Sequence, residues 1–482
     1  MHWIDAGICI VYTIALLCVG MYFMRRNASA EDFFVSGRNM GRWHIGLSVV
    51  ATDVGGGFSI GLGGLGFVMG LSGSWMLFTG LVGAWLAAVL LIPRVYDLGR
   101  SKHWLTFPQL FGHFYDGRVA FVAGIISVVG YLGFTSSQVL AGAKLASVAV
   151  DGLDMGTALL VMGAIAIAYT VLGGMNAVIL TDTFQWVVLM LGFILVALPM
   201  AWTAVGGWAA VSGTLGPEFL ALNNVGAATL VNWAVTIVPI WFVGMTLYQR
   251  IYASRSERQA RQAWFIAGLF EWPVMAFIGV ALGMLARVAA EQGMFAAIPG
   301  AHAAMDPELG LPMLLRTILP VGLTGIMLIT YMSVILSTAD SCLMAASSNL
   351  LTDVVYRGRT DLPQRRMLRL SQLFTLGVGL VALALAAAME NVLALMLHSY
   401  AFMVSGLLVP VVAALFFGQR NSRAALAGML TGGGTTLLLT LTAVNVPAGL
   451  DPNVFGIAAS AVAFIIVART MPLRPAPIPI AP

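Results

Sequence analysis

Charged residues are scarce in this chain: Asp, Glu, Lys and Arg make up 9% of its 482 residues. A soluble globular domain carries roughly 25%, so the chain lacks the charge to coat a water-facing surface. Cysteine is nearly absent. Cys9, Cys18 and Cys342 are an odd number and all lie in apolar stretches, which argues against a disulfide framework. There is no glycine loop ending in Gly-Lys-Ser/Thr and no Cys or His pair at metal-ligand spacing. The chain reads as a non-enzyme without a cofactor. Long polar stretches are missing too. The longest, 288–312, 353–370 and the Pro-rich 471–482, leave no room for a second domain. A net charge of +4 does not point to nucleic acid, because the basic residues fall in short loops.

What the chain has in abundance is apolar length. Hydrophobic residues make up 60% of it, and the mean hydropathy is +0.93. They come in runs of about 20, the length at which an α-helix crosses a bilayer core. Thirteen spans are expected, at 5–24, 45–71, 75–93, 119–148, 157–174, 183–204, 230–248, 263–286, 317–350, 371–389, 391–417, 424–444 and 454–469. Residues 1–24 carry no positive charge ahead of the apolar run, and Arg25-Arg26 follow it. That stretch reads as a first membrane helix with its N-terminus outside, not as a signal peptide. With that start, 21 of the 24 basic residues fall in cytoplasmic segments, among them Arg250, Arg255, Arg258 and Arg261 after span seven. Lys144, inside span four, is expected to stretch toward an interface. The fold class is an all-α membrane protein of about thirteen transmembrane helices, in the cell (inner) membrane.

Two spans carry unusual chemistry. Span two contains Thr52 and Asp53, then Gly55, Gly56, Gly57, Gly61, Gly63, Gly64 and Gly66. Each interior glycine costs roughly 1 kcal/mol against alanine, so so dense a run predicts a helix that breaks inside the membrane. A break exposes carbonyl oxygens that can hold a cation. Close helix packing through small residues accounts for the later glycines but not for Asp53. In span nine, Ser337, Asp340 and Ser341 are spaced i, i+3, i+4 and share one face. Two hydroxyls and a carboxylate on one face make an oxygen cluster of the kind hard cations need. Asp182, where span six enters the membrane, reads either as a functional carboxylate or as an interfacial cap beside Thr181. His398, inside span eleven, reads as a solute or proton contact or as a packing residue. Gln138, with Ser136 and Ser137, either lines a cavity or bonds across helices.

Four stretches together resemble the sodium:solute symporter family: EDFFVSGRNMG after span one, ATDVGGG in span two, YTVLGGMNAVILTDTFQ across spans five and six, and LSTADSCLMAASS in span nine. The resemblance covers nearly the whole chain. It implies a five-plus-five inverted repeat with discontinuous helices. Repeat one would be 45–204 and repeat two 230–417, with a first helix at 5–24, two last helices in 424–469 and a cytoplasmic tail at 470–482. It implies a sodium site made by the carbonyls of Ala51, Val54 and Val334 and the hydroxyls of Ser337 and Thr338. Some relatives hold a second sodium at the position of Asp182. Here Asp340 stands where those relatives have a serine, and Ser341 keeps the hydroxyl, so two acids there would equally suit a proton.

VGGGF, STADS and LYQRIYASRSERQA resemble the choline-transporting branch, which grips its solute with aromatics. In this chain Asp53 and Gly244 stand at two of those aromatic positions. Asp53 would instead attract an amine, as a comparable aspartate does in proline-transporting relatives. Asp53, Gly56, Gln138, Trp241 and His398 are the solute-contact candidates, with Phe242 and Tyr131 as cavity walls. The expected function is sodium-coupled import of a small organic solute (amine, amino acid or carboxylate) by alternating access. A proton-coupled carrier of the same fold is the alternative. A ligand sensor would need an output domain, and a redox-linked proton pump would need lysines and glutamates along its midplane.

Overall fold

The computed structural model of the chain describes residues 2–27, 29–296, 298, 305–357, 363–442 and 446–471. No strand occurs among them; one isolated bridge joins Met40 and Ser254. The main helices are α1 (Trp3–Arg26), α2 (Arg42–Met69), α3 (Trp75–Leu86), α4 (Gly117–Ala149), α5 (Met155–Gly192), α6 (Ala227–Val243) and α7 (Met245–Ala253). They continue with α8 (Glu257–Phe270), α9 (Phe277–Glu291), α10 (Leu323–Asn349), α11 (Gln364–Ala386), α12 (Val392–Phe417), α13 (Ser422–Leu441) and α14 (Pro452–Thr470). Helices satisfy every backbone group internally, which hydrocarbon requires of anything that crosses it.

Polarity runs inside out. Asp182, Arg250, Glu271 and Asp340 are buried, while Phe184, Phe417 and Leu441 are more than half exposed. In water this distribution would be ruinous. In a bilayer it is the expected one, because lipid-facing positions want apolar side chains and polar groups face the bundle interior.

The described residues contain ten helices long and apolar enough to cross a membrane, with the bent pair α6 and α7 as one more span, making eleven. That criterion does not reach the expected thirteen. Two of the ten stretches, Ile60–Ser101 and Met155–Val205, run 42 and 51 residues. At about 1.5 Å per residue either would far exceed a hydrocarbon core roughly 30 Å thick. Each is interrupted. Gly70 (φ +66°) opens a short 3₁₀ segment to Ser74, and Gly174 (φ 63°, ψ −173°) leaves helical geometry inside α5. A left-handed φ of this kind falls to glycine because it has no Cβ to clash.

Helices approach closely where glycines remove side chains. A Cβ on Gly66 would overlap the backbone of Val280, and one on Gly283 would overlap Gly63, so α2 and α9 meet backbone to backbone. Part of the glycine run in span two is therefore packing. The earlier part is a break: Gly55 (φ 18°, ψ −165°) interrupts α2. A second break separates α6 from α7 at Gly244, bending the axis by 41°. The first helix of each expected repeat is thus discontinuous.

Lys144 does not stretch toward an interface. It is buried, with its Nζ 2.5 Å from Asp306 and 2.6 Å from Glu308. Glu308 also accepts from the backbone N–H groups of Val392 and Leu393, so it caps α12 as well. Cys9, Cys18 and Cys342 are all free. Most of the expected tail, 472–482, lies outside the described residues.

Candidate cation and solute site

The break in α2 faces α10. The hydroxyl of Thr338 lies 3.1 Å from the carbonyl oxygen of Ala51, 3.1 Å from that of Thr52 and 3.3 Å from that of Val334. A helix interior offers no such grouping, because its carbonyls are already taken by the turn above. Gly55 is what allows the approach: a Cβ there would overlap Thr338 and come within 2.8 Å of Gln138 Oε1. The break also frees the N–H of Gly56, which donates to Gln138 Oε1 at 2.7 Å. Gln138 from α4 thus replaces the bond that the helix loses. The solute candidates Gly56 and Gln138 are bonded to each other, and Val54, just before the break, is fully buried.

Ser337, the other expected hydroxyl, points elsewhere. It donates to Asp182 Oδ1 at 2.5 Å. Asp182 is fully buried and also accepts from Ser48, while Thr181 bonds Tyr169. The capping alternative for Asp182 is thereby removed.

Beside Asp182 sits a residue assigned from the sequence to a cytoplasmic loop. Arg250 is fully buried. Its Nη2 lies 3.2 Å from Asp182, 2.5 Å from Thr52 Oγ1 and 2.8 Å from Ser341 Oγ; its Nε donates to Ser48 at 2.9 Å, and its Nη1 to the Thr246 carbonyl at 3.2 Å. The loop assignment failed because span seven was ended at 248. Its apolar pattern in fact resumes after Gly244 as α7, which carries Arg250 into the bundle. The expected grouping of Asp182, Asp340 and Ser341 is not formed as such. Asp182 and Ser341 both meet Arg250, whereas Asp340 accepts from Thr170 on α5 at 2.6 Å.

Asp53 lies on the opposite side of the break, against Glu271, where the α8–α9 stretch widens into a π-turn over Glu271–Ala276. Glu271 is the second residue that reading the sequence missed. Its signal was present: a lone acid in the middle of the apolar run 263–286. Trp241 is fully buried and packs on Gly83 and Trp264. Tyr131 bonds Thr246 through its hydroxyl, at 3.1 Å from Oγ1. His398 is exposed on α12 and belongs neither to the site nor to the packed interior. Helix periodicity within the span could not decide this, since apolar residues surround it on every face.

The model of the sodium:solute symporter family matches residues 33–432, most of the chain. The chain belongs to that family. The match takes in both broken helices and every site residue described above. Among sequence relatives, the high-affinity proline transporter PutP of Bacillus subtilis (strain 168) is 26% identical over 88% of this chain and 89% of its own length. A sodium/proline symporter of Staphylococcus aureus (strain JH9) is 26% identical over 88% and 83%. Sodium/glucose cotransporter 1 of Ovis aries is 24% identical over 93% and 74%. Among solved structures, a Na+-coupled sialic acid symporter in its substrate-bound outward-open state superposes with a TM-score of 0.81 at 19% identity, over 98% of both chains. A nucleobase-cation-symport-1 family transporter reaches 0.59 at 14% identity, over 93% and 97%. As a member of the sodium:solute symporter family, the chain is a multi-pass membrane transporter that couples sodium to the movement of a small organic solute.

Proposed function

We propose that the chain imports an amine, amino acid or carboxylate by alternating access, with sodium bound at the α2 break between Ala51, Val54, Val334, Ser337 and Thr338. The observation that carries this reading is the grouping of the Thr338 hydroxyl with the carbonyls of Ala51, Thr52 and Val334. Such oxygens, released from helical pairing and held in a buried site, are what a hard cation needs. In this reading Ser337 turns from Asp182 toward the ion when sodium enters. Sodium then stabilises one of two arrangements of the bundle, and the coupling is its difference in affinity between them.

Arg250 stands between Asp182 and Ser341, so in this reading a protein cation fills the position a second sodium would take. One coupled sodium follows. Asp53, Gly56, Gln138 and Trp241 remain the solute candidates, all within the bundle around the break. The two relatives named for proline make L-proline the first solute to try. The placing of the chain in the cell membrane, with its N-terminus outside and C-terminus in the cytoplasm, rests on the asymmetry of its basic residues.

The test is uptake by the purified protein in proteoliposomes. A panel of labelled L-proline, choline, glucose and sialic acid is offered with an inward sodium gradient, a proton gradient, or neither. Accumulation of one solute that needs sodium and collapses with a sodium ionophore supports the reading. Accumulation driven by the proton gradient alone would sink the sodium assignment and leave the family fold intact.

A further inference from the structure

Asp53 and Glu271 carry the one acidic pair of the bundle core, among the described residues, that no basic side chain answers. Glu271 is fully buried and Asp53 is 6% exposed. No donor reaches Asp53 Oδ2 or either carboxyl oxygen of Glu271. The two carboxyl groups contact each other. The buried basic residues are committed elsewhere: Arg38 to Glu31, Lys144 to Asp306 and Glu308, and Arg250 to Asp182. An unpaired acceptor in a dry interior is costly, and two carboxylates in contact cannot both stay ionised without a counter-charge.

The orphan oxygens converge. Gly80 on α3 turns its bare Cα toward both, and a Cβ there would overlap Glu271 Oε2 and lie 3.9 Å from Asp53 Oδ2. Both acids sit on irregular backbone, Asp53 two residues before Gly55 and Glu271 at the start of the π-turn, and π-turns inside helices are frequent at functional sites. The titratable groups that face the pair are Cys342 on α10 and Tyr400 on α12, with Tyr131 on α4 and Asp340 on α10 further off. α3 presents none. None of these groups supplies a positive charge.

We propose that Asp53 and Glu271 form a cation site separate from the sodium position, one that takes a single positive charge: a proton, or the ammonium group of the transported solute. This rests on the symport reading above but not on which residues bind sodium. With a proton, the two carboxyls share it and satisfy each other's oxygens. With an ammonium, the solute brings the counter-charge that the protein omits, and solutes without a cationic nitrogen are excluded.

The experiment follows the thermal unfolding midpoint of the purified full-length protein, wild type, Glu271→Gln and Asp53→Asn, from about pH 5 to about pH 9, with and without sodium. Methylammonium, L-proline and cyclopentanecarboxylate (the proline ring acid without its nitrogen) are the probes. If the charge is a proton, wild type loses stability toward alkaline pH by several degrees more than Glu271→Gln, whose amide donates to Asp53 by itself. If it is an ammonium, the amine probes raise the wild-type midpoint, cyclopentanecarboxylate does not, and the rise is lost in both variants. The proposal is overturned if both variants keep the wild-type pH profile and probe shifts. Should neither variant be obtained folded, Gly80→Ala carries the same test, since its methyl group fills the point where the oxygens meet; an unchanged profile overturns the proposal. Failure of the sodium reading shows separately, as a wild-type midpoint indifferent to sodium.

Discussion

At the scale of single residues, Arg250 and Thr338 do opposite kinds of work. Arg250 fully desolvates a charge and recovers the cost through Asp182 and three hydroxyls. Removing one partner of a buried pair costs about 3–5 kcal/mol because the other is left uncompensated. Arg250→Gln is therefore expected to destabilise by about that amount, measured by unfolding in detergent. Asp182→Asn with Arg250→Gln should cost less than the sum of the two single changes. Strict additivity would mean the pair carries no mutual energy. Thr338 donates in a neutral grouping, so Thr338→Val should leave folding nearly intact while removing the sodium-dependent shift in unfolding midpoint. Ser337→Ala should likewise abolish sodium-stimulated uptake without abolishing insertion. Normal sodium dependence in both would move the ion away from the α2 break.

At the scale of elements, the two breaks are the functional parts and the glycine contacts are the structural ones. Gly55→Ala must displace Thr338 or Gln138, both buried on neighbouring helices. It is expected to abolish transport while the protein still inserts and purifies. Gly434→Ala, on an exposed part of α13 with nothing within 4 Å, is the control. It should stabilise by about 1 kcal/mol at most, the helix propensity gain, and leave uptake unchanged. If the two substitutions behave alike, the break in α2 is a packing feature and not part of the site.

At the scale of the whole molecule, the site is closed on both sides of the break. Arg250 ties α7 to α2, α5 and α10, while Lys144 ties α4 to Asp306 and Glu308. An alternating-access cycle needs such closures to open in turn. Cys342, fully buried between them, is a native reporter. Lys144→Met is expected to raise the labelling rate of Cys342 by a small thiol reagent several-fold, with sodium changing that rate. Labelling unchanged by both the substitution and sodium would mean that the Lys144 cluster does not gate access.

Much of this was legible in the chain itself. Sparse charge with apolar runs dictates a helical membrane bundle, because hydrocarbon admits no unpaired backbone. The glycines at 55–57 announce a break, and the Ser337–Ser341 face announces polar chemistry, since both are expensive in lipid unless used. Tertiary structure decided the partners. Arg250 looked like a loop cation because span ends are read from apolar periodicity, and a broken span resumes past its apparent end. Asp340 left its expected neighbours because residues sharing one helix face can still be claimed by different helices, here α5 through Thr170 for Asp340 and α7 through Arg250 for Ser341. Asp53 and Glu271 lie 218 positions apart in the chain, and no local pattern relates them. Only the packing of α2, α3 and the π-turn brings their carboxyls together without a counter-charge.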